Sequence, residues 1–149
     1  MRAVVQRVTD AKVSVDGIVK GSVGQGFCVL LGVEADDTNK DLEYMVDKVS
    51  GLRIMDDENG VMNRSVMDTG GEILSISQFT LLGDVRHGKR PSWIKAERPE
   101  KADEMYKRFN EALRNKGIKV EEGVFQAEML VEIHNDGPVT ILLDSRKQF

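Results

Sequence analysis

E-I-L-S-I-S-Q-F-T-L-L, residues Glu72 to Leu82, begins as a β-run on Ile73, Leu74 and Ile76, yet Ser75, Ser77, Gln78 and Thr80 put hydrogen-bonding side chains where a plain core strand carries Val or Leu. Continued as a strand, it sets Ser77 beside Phe79 on one face and Gln78 beside Thr80 on the other, so a ligand at this end meets an aromatic wall together with hydroxyl and amide groups. The plainer alternative is a strand end whose Ser and Thr side chains bond their own turn. Either way it reads as the central strand of a sheet, and the rest of the chain is arranged around it.

Upstream, Ala3–Val8 reads as a short strand in which Arg7 is a lone cation among valines, with a stem able to lie along a sheet edge. Ala11–Val15 and Ile18–Val23 alternate and are joined by Asp16-Gly17, the dipeptide of a type I′ hairpin turn. Gly24, Gly26 and Phe27–Val33 follow as a strand apolar almost throughout, hence covered on both faces. These glycines precede a strand, whereas a dinucleotide-binding loop follows one and opens a helix. Thr38 with Asp41 opens a helix whose Leu42, Met45, Val46 and Val49 share one face, and Gly51 stops it. Leu52–Met55 reads as a strand and Asp56–Gly60 as a solvated turn without the spaced ligands of a calcium loop. The run Val61–Met67 and the punctuation Gly70-Gly71 then lead into the central strand.

Downstream, Gly83–Arg98 has no periodicity and is long for a loop. Arg86, Lys89, Arg90, Lys95 and Arg98 are opposed only by Asp84 and Glu97, and Trp93 adds a base-sized aromatic surface. The alternative is a solvated loop with its Trp tucked beneath it. Pro99 starts a second helix with Ala102, Met105, Tyr106, Phe109 and Leu113 on its core face and Gly117 as its stop. Ile118–Val120, Ala127–His134 and Val139–Asp144 are strands, Asn135-Asp136-Gly137-Pro138 lies between the last two, and Arg146–Phe149 is a tail. The expectation is one α+β domain over residues 1–149, a strongly curved or barrel-like, mostly antiparallel β-sheet with two covering helices.

Composition narrows the function. A chain of 149 residues, 40% of them hydrophobic, can bury one core, and a formal charge of −4 argues against a protein that coats DNA or RNA with a basic surface. Any RNA contact is therefore local. The single Cys28 lies in an apolar run, so no disulfide or cysteine metal cluster forms, as suits a reducing cytosol. With no signal-peptide core and no window of membrane-span length, a cytoplasmic protein without membrane contact is expected.

The side chains of common hydrolases are missing. His87 and His134 stand outside any motif, and no G-x-S-x-G elbow, H-E-x-x-H pair or Walker loop is present. Thr80 remains as a hydroxyl without a visible base, so ester cleavage here needs backbone donors or help from the substrate. In Asn135-Asp136-Gly137-Pro138-Val139-Thr140, a cis Gly137-Pro138 bond would turn two carbonyls the same way, while an ordinary inter-strand turn is the alternative.

Taken together, Ser77-Gln78-Phe79-Thr80-Leu81 and Asn135–Thr140 resemble the pair of signature motifs of the D-aminoacyl-tRNA deacylases, and M-R-A-V-V-Q-R-V with Arg7 is similar to that family's first strand. The resemblance spans the chain without insertions in either motif. It implies a homodimer with active sites at the subunit interface, into which a cis Gly137-Pro138 corner reaches from the neighbouring subunit. An L side chain would collide with that corner; a D residue would not, and glycine could not be excluded. The resemblance also implies that Ser77, Gln78, Phe79 and Thr80 hold the ester and the terminal adenosine, with backbone N–H groups near Phe79 and Thr80 facing the oxyanion. Asn135 belongs with Gly137 and Pro138 on the substrate side, and Arg7 braces the corner. Arg86, Lys89, Arg90 and Trp93 are the expected tRNA contacts, with aminoacyl-tRNA as substrate and no metal or organic cofactor. A non-catalytic RNA-binding barrel is the alternative function, and a structural dimer with an unremarked Gly-Pro hairpin a third.

Overall fold

β1 (Arg2–Val15) is the spine of the sheet, and three other strands pair directly with it. The computed structural model describes residues 1–149. The sequence suggests two strands here, broken at the polar pair Thr9-Asp10, but β1 is continuous and those two residues are exposed within it, next to a shift of register against its neighbour. Continuity comes from pairing: Arg2–Val8 lies antiparallel to β3 (Gly26–Gly32), Ala11–Val15 to β2 (Ile18–Val23), and β8 (Leu130–Asp144) runs antiparallel along the other edge. The β1–β2 hairpin forms as expected, with Asp16 and Gly17 at φ 50° and 78°.

β8 is likewise one strand and not two. Asn135 pairs with Val8 and Thr140 with Gln6, so Asp136–Val139 bulges out opposite Arg7 alone. The Asn135 side-chain amide closes the neck of this bulge, donating to the Arg7 carbonyl at 2.9 Å and the Val139 carbonyl at 3.0 Å. Within the bulge the Gly137-Pro138 peptide is cis, and both residues are exposed.

β6 (Glu72–Ser77) and β7 (Lys119–Glu122) extend the sheet in the order β2-β1-β3-β6-β7, with β3–β6 and β6–β7 parallel. The sheet is therefore mixed, and it curls nearly closed: a Cβ on Gly21 of β2 would lie 3.0 Å from the Glu122 carbonyl oxygen of β7. α1 (Asn39–Gly51) and α3 (Pro99–Asn115) cover one face as the apolar spacing requires. The stretch between α1 and β6 differs from the strand expected over Leu52–Met55. Only Met55–Asp56 (β4) and Met62–Arg64 (β5) pair there, and Val66–Thr69 is a short third helix, α2. A capping box starts α2, with Ser65 Oγ accepting the Asp68 N–H at 3.1 Å and Asp68 accepting the Ser65 N–H at 2.9 Å.

Alternation on β3 and β6 divides the core into two. Phe27, Val29, Leu31 and Ile73 face Met45, Val49, Phe109 and Leu113 of the helices, while Cys28, Leu74 and Ile76 pack inside the curl with Val8 and Val13. Burial pushes the Cys28 thiol up to about 12, which leaves it an inert core group. No helix is long and apolar enough to cross a membrane.

Contrary to the strand its sequence suggests, Glu72–Leu82 is not extended throughout. β6 stops at Ser77, the Gln78 N–H makes a last bond to the Leu31 carbonyl at 2.8 Å, and Phe79–Leu82 turns as a 3₁₀ helix. The turn folds back onto Gly32, where a Cβ would lie 2.6 Å from Leu82 Cδ2 and 3.0 Å from the Gln78 carbonyl oxygen. Ser77 and Phe79 thus do not share a strand face.

Candidate active site

Where β6 ends, a cavity of about 670 Å³ opens between the 3₁₀ turn, the start of α3 and the segment joining β7 to β8. Ser77, Gln78, Phe79 and Trp93 all line it, so four side chains singled out in the sequence come together. Phe79 and Trp93 meet edge to face, ring centroids 5.2 Å apart and planes at 64°. Trp93 lies against Gly83, whose Cβ would be 2.7 Å from its ring, yet remains 41% exposed. It is both tucked against the turn and open to a ligand.

The polar chemistry is sparse. Thr80 is exposed, and its Oγ1 accepts a hydrogen bond from Gln78 Nε2. The N–H groups of Phe79 and Thr80 stand at the start of the 3₁₀ turn, where no carbonyl of the turn can receive them. One carboxylate that the sequence reading did not place here, Glu97, lines the cavity. The Arg98 N–H, donating at 2.8 Å, holds its carboxyl below the usual range, with Lys101 Nζ at 3.1 Å adding to the effect. A carboxylate so stabilised is a weak base. Neither histidine lines the cavity; His134 is on the outer face of β8, with Nδ1 2.9 Å from Asp10.

Phe125, Met129 and Val131 form the apolar far wall. Alternation along Ala127–His134 points to a core face for Met129 and Val131, and both do pack on the inner cluster while also lining the cavity. Only the curl of the sheet brings them to the end of β6, and no local pattern carries that information.

Arg7, Asn135, Gly137 and Pro138 gather elsewhere. Arg7 is 8% exposed and held on two of its nitrogens: Nη1 donates to the Ile54 carbonyl at 2.9 Å and to Asp56 Oδ1 at 3.2 Å, and Nε donates to the Asp136 carbonyl at 3.3 Å. The cation therefore braces the residue just before Gly137 and does not lie along an edge. Arg7 pairs with Phe27, and Phe27 with Ile73, which puts the corner level with the start of β6. Ser77 is roughly 13 Å further along that strand, at about 3.3 Å per residue. Within one chain the two motifs do not meet.

The basic loop is only partly available. Arg86 forks onto Asp84, with Nε at 2.9 and 3.1 Å from the two oxygens, and holds the Asp84 carboxyl well below the usual range. Asp84 and Ser92 also exchange backbone bonds at 2.9 Å, closing the loop's neck. Lys89 and Arg90, at the tip, are exposed and outside that pair.

A curled mixed sheet with an aromatic cavity at the end of β6 and a braced corner on its edge strand defines a class met in known proteins. A structure titled "Structural Analysis of a probable eukaryotic D-amino acid tRNA deacylase" superposes with a TM-score of 0.82 over 95% of this chain and 97% of that one, at 18% identity, and so shares the fold. The structure of a c-Myc DNA Unwinding Element Binding Protein superposes with a TM-score of 0.91 at 47% identity, over 97% and 98% of the two chains. The D-aminoacyl-tRNA deacylases of Thermotoga petrophila and Koribacter versatilis are 58% and 57% identical over 149 residues, the full length of each chain. The family described as D-Tyr-tRNA(Tyr) deacylase matches residues 4–144, and the chain belongs to it.

Proposed function

We propose that this chain is a chiral proofreading hydrolase that cleaves the ester bond of D-aminoacyl-tRNA, releasing tRNA and the free D-amino acid, and that its active site is completed by a second copy. The observation that carries the reading is the separation of the two motifs along β6. Each lacks what the other holds: the cavity has aromatic surface and backbone donors but nothing that judges handedness, while the corner, braced by Arg7 and Asn135, borders only a polar hollow of about 250 Å³ with no aromatic wall to stack an adenosine. In a two-fold dimer the corner of each copy enters the cavity of the other, and both sites are completed by one self-complementary contact. The exposed residues on β8, Leu130 at 66% and Leu142 at 59%, flank the corner on the strand that would carry that contact.

In this arrangement the corner rejects an L side chain by collision and admits a D residue, whose α-hydrogen faces it, so glycyl-tRNA is also a substrate. Attack comes from water assisted by the free 2′-OH of the terminal ribose, because Thr80 has no base and Glu97 is too weak a one. The deciding experiment compares D-tyrosyl-tRNA and L-tyrosyl-tRNA. Release of the D amino acid alone is expected, whereas a mere RNA binder releases neither and an unselective esterase both.

Two further results follow. Thr80→Ala and Glu97→Gln each retain activity within about fivefold, while a tRNA ending in 2′-deoxyadenosine reacts at least roughly 100-fold more slowly, as loss of a reacting group requires. A dead, folded Thr80→Ala protein would return the nucleophile's role to its hydroxyl. Replacing Lys89 and Arg90 together by Gln weakens tRNA binding and lowers the slope of log K against log salt by about 1 to 2; an unaltered slope places the acceptor stem elsewhere.

A further inference from the structure

β6 and β7 part at the cavity. Their parallel pairing ends with Ser75 opposite Glu122; β6 then runs on to Ser77 and the turn, while the other strand gives way to Gly123 and the segment through Phe125 to Met129. The Ser75 carbonyl is the last atom to hold both. It accepts the Gly123 N–H at 3.3 Å and the Tyr106 hydroxyl at 2.7 Å. Gly123 is closely packed, since a Cβ there would lie 2.6 Å from Met129 Sδ and 3.3 Å from Ile76 Cδ1, and both of those residues line the cavity.

Tyr106 reaches this carbonyl from α3 and is 2% exposed. Its ring packs on Phe125, centroids 6.3 Å apart, and Phe125 is a cavity wall. One turn along the helix, buried Asn110 donates to Glu122 Oε2 at 2.9 Å and fixes the end of β7 from the same face. If Tyr106 served packing alone, Phe would do as well and spare the cost of burying a hydroxyl. Burial pushes that hydroxyl up to about 12, so it stays a donor at any working pH.

We propose that Tyr106 is a positioning residue whose hydroxyl, by clamping the Ser75 carbonyl while its ring holds Phe125, fixes the distance between the cavity's two walls and so the placement of the ester against the 3₁₀ turn. This rests on reading the cavity as the site of ester hydrolysis. The test is Tyr106→Phe in the full-length chain, with kcat and KM measured on D-tyrosyl-tRNA and amide hydrogen exchange measured at Gly123 and Val120. Expected are a fall in kcat of roughly tenfold with KM within about twofold, as loss of alignment requires, together with faster exchange at Gly123 and unchanged exchange at Val120. Unchanged kcat, a loss carried by KM, or a Gly123 amide as protected as in the parent overturns the proposal. If the parent protein hydrolyses neither hand of substrate, it is the hydrolase reading that has failed, and the exchange at Gly123 still decides whether the hydroxyl holds that wall.

Discussion

Gly26→Ala is expected to leave little folded protein. Gly26 sits at φ 155°, where β3 begins to pair with β6, and a Cβ there would lie 1.9 Å from the Glu72 carbonyl oxygen and 2.6 Å from its nitrogen. Both obstacles are backbone, so no rotamer change relieves them; the parallel pair must separate. That pair carries Phe27 and Ile73 into the helix-side core and Cys28 and Leu74 into the inner one, so separating it damages both. The cost is on the order of 4 kcal/mol or more, the range reserved for clashes with no escape. Gly17→Ala is the control: φ is 78° but nothing lies within 4 Å, so only the left-handed backbone penalty of about 1 to 2 kcal/mol applies. Thermal unfolding of the two variants distinguishes steric from conformational cost. A Gly26→Ala protein melting within about 2 °C of the parent, where each kcal/mol shifts Tm by roughly 2 to 4 °C, would refute the packing described for this crossing.

The same crossing shows what a reader of the sequence can and cannot see. Helical spacing with caps located α1 and α3, Asp16-Gly17 located the hairpin, and an unbroken apolar run marked β3 as covered on both faces. Those signals are local. Whether β1 and β8 continue through their polar interruptions is decided by which neighbours lie beside Thr9 and Asn135, and that depends on residues more than a hundred positions away. The capping box that makes Val66–Thr69 helical is written in Ser65 and Asp68, but a single turn is too short to show a helical period in the sequence. At the site, Ser77, Gln78, Phe79 and Trp93 drew notice because they are chemically out of place. Phe125 and Met129 did not, because an apolar side chain lining a cavity has the same pattern as one filling a core. Arg7 stood out among valines, yet its partners Ile54, Asp56 and Asp136 are assembled only by the fold. The grouping of the two motifs into one function came from their resemblance to a family, not from spacing.

The corner yields the other large effect: Gly137→Ala should lower hydrolysis of D-aminoacyl-tRNA by roughly 100-fold while the preference for D over L collapses toward unity, since a displacement of about 1 Å in a positioning group is enough for such a loss. Gly137 has φ 123°, and a Cβ there would lie 2.8 Å from Val139 Cγ2, 2.9 Å from the Val139 nitrogen and 3.2 Å from Arg7 Nη2. The Val139 nitrogen belongs to the bulge and cannot withdraw, and Arg7 cannot swing aside without releasing the Ile54 and Asp136 carbonyls that it holds. The corner itself must move. Its neck is pinned by Asn135 and its tip is exposed, so the strain is released outward, and global stability falls by only about 1 to 2 kcal/mol. This separation of effects makes the measurement decisive. Activity and handedness are read from deacylation of matched D- and L-tyrosyl-tRNA, folding from the far-ultraviolet dichroism and melting of the same sample. A variant that is folded, dimeric and still discriminates as the parent does would remove the Gly137 corner from the chiral step and leave selection to the cavity alone. A variant that loses both activity and discrimination while Phe79→Ala loses activity but keeps discrimination would divide the work as proposed, with substrate held by one copy and its handedness judged by the other.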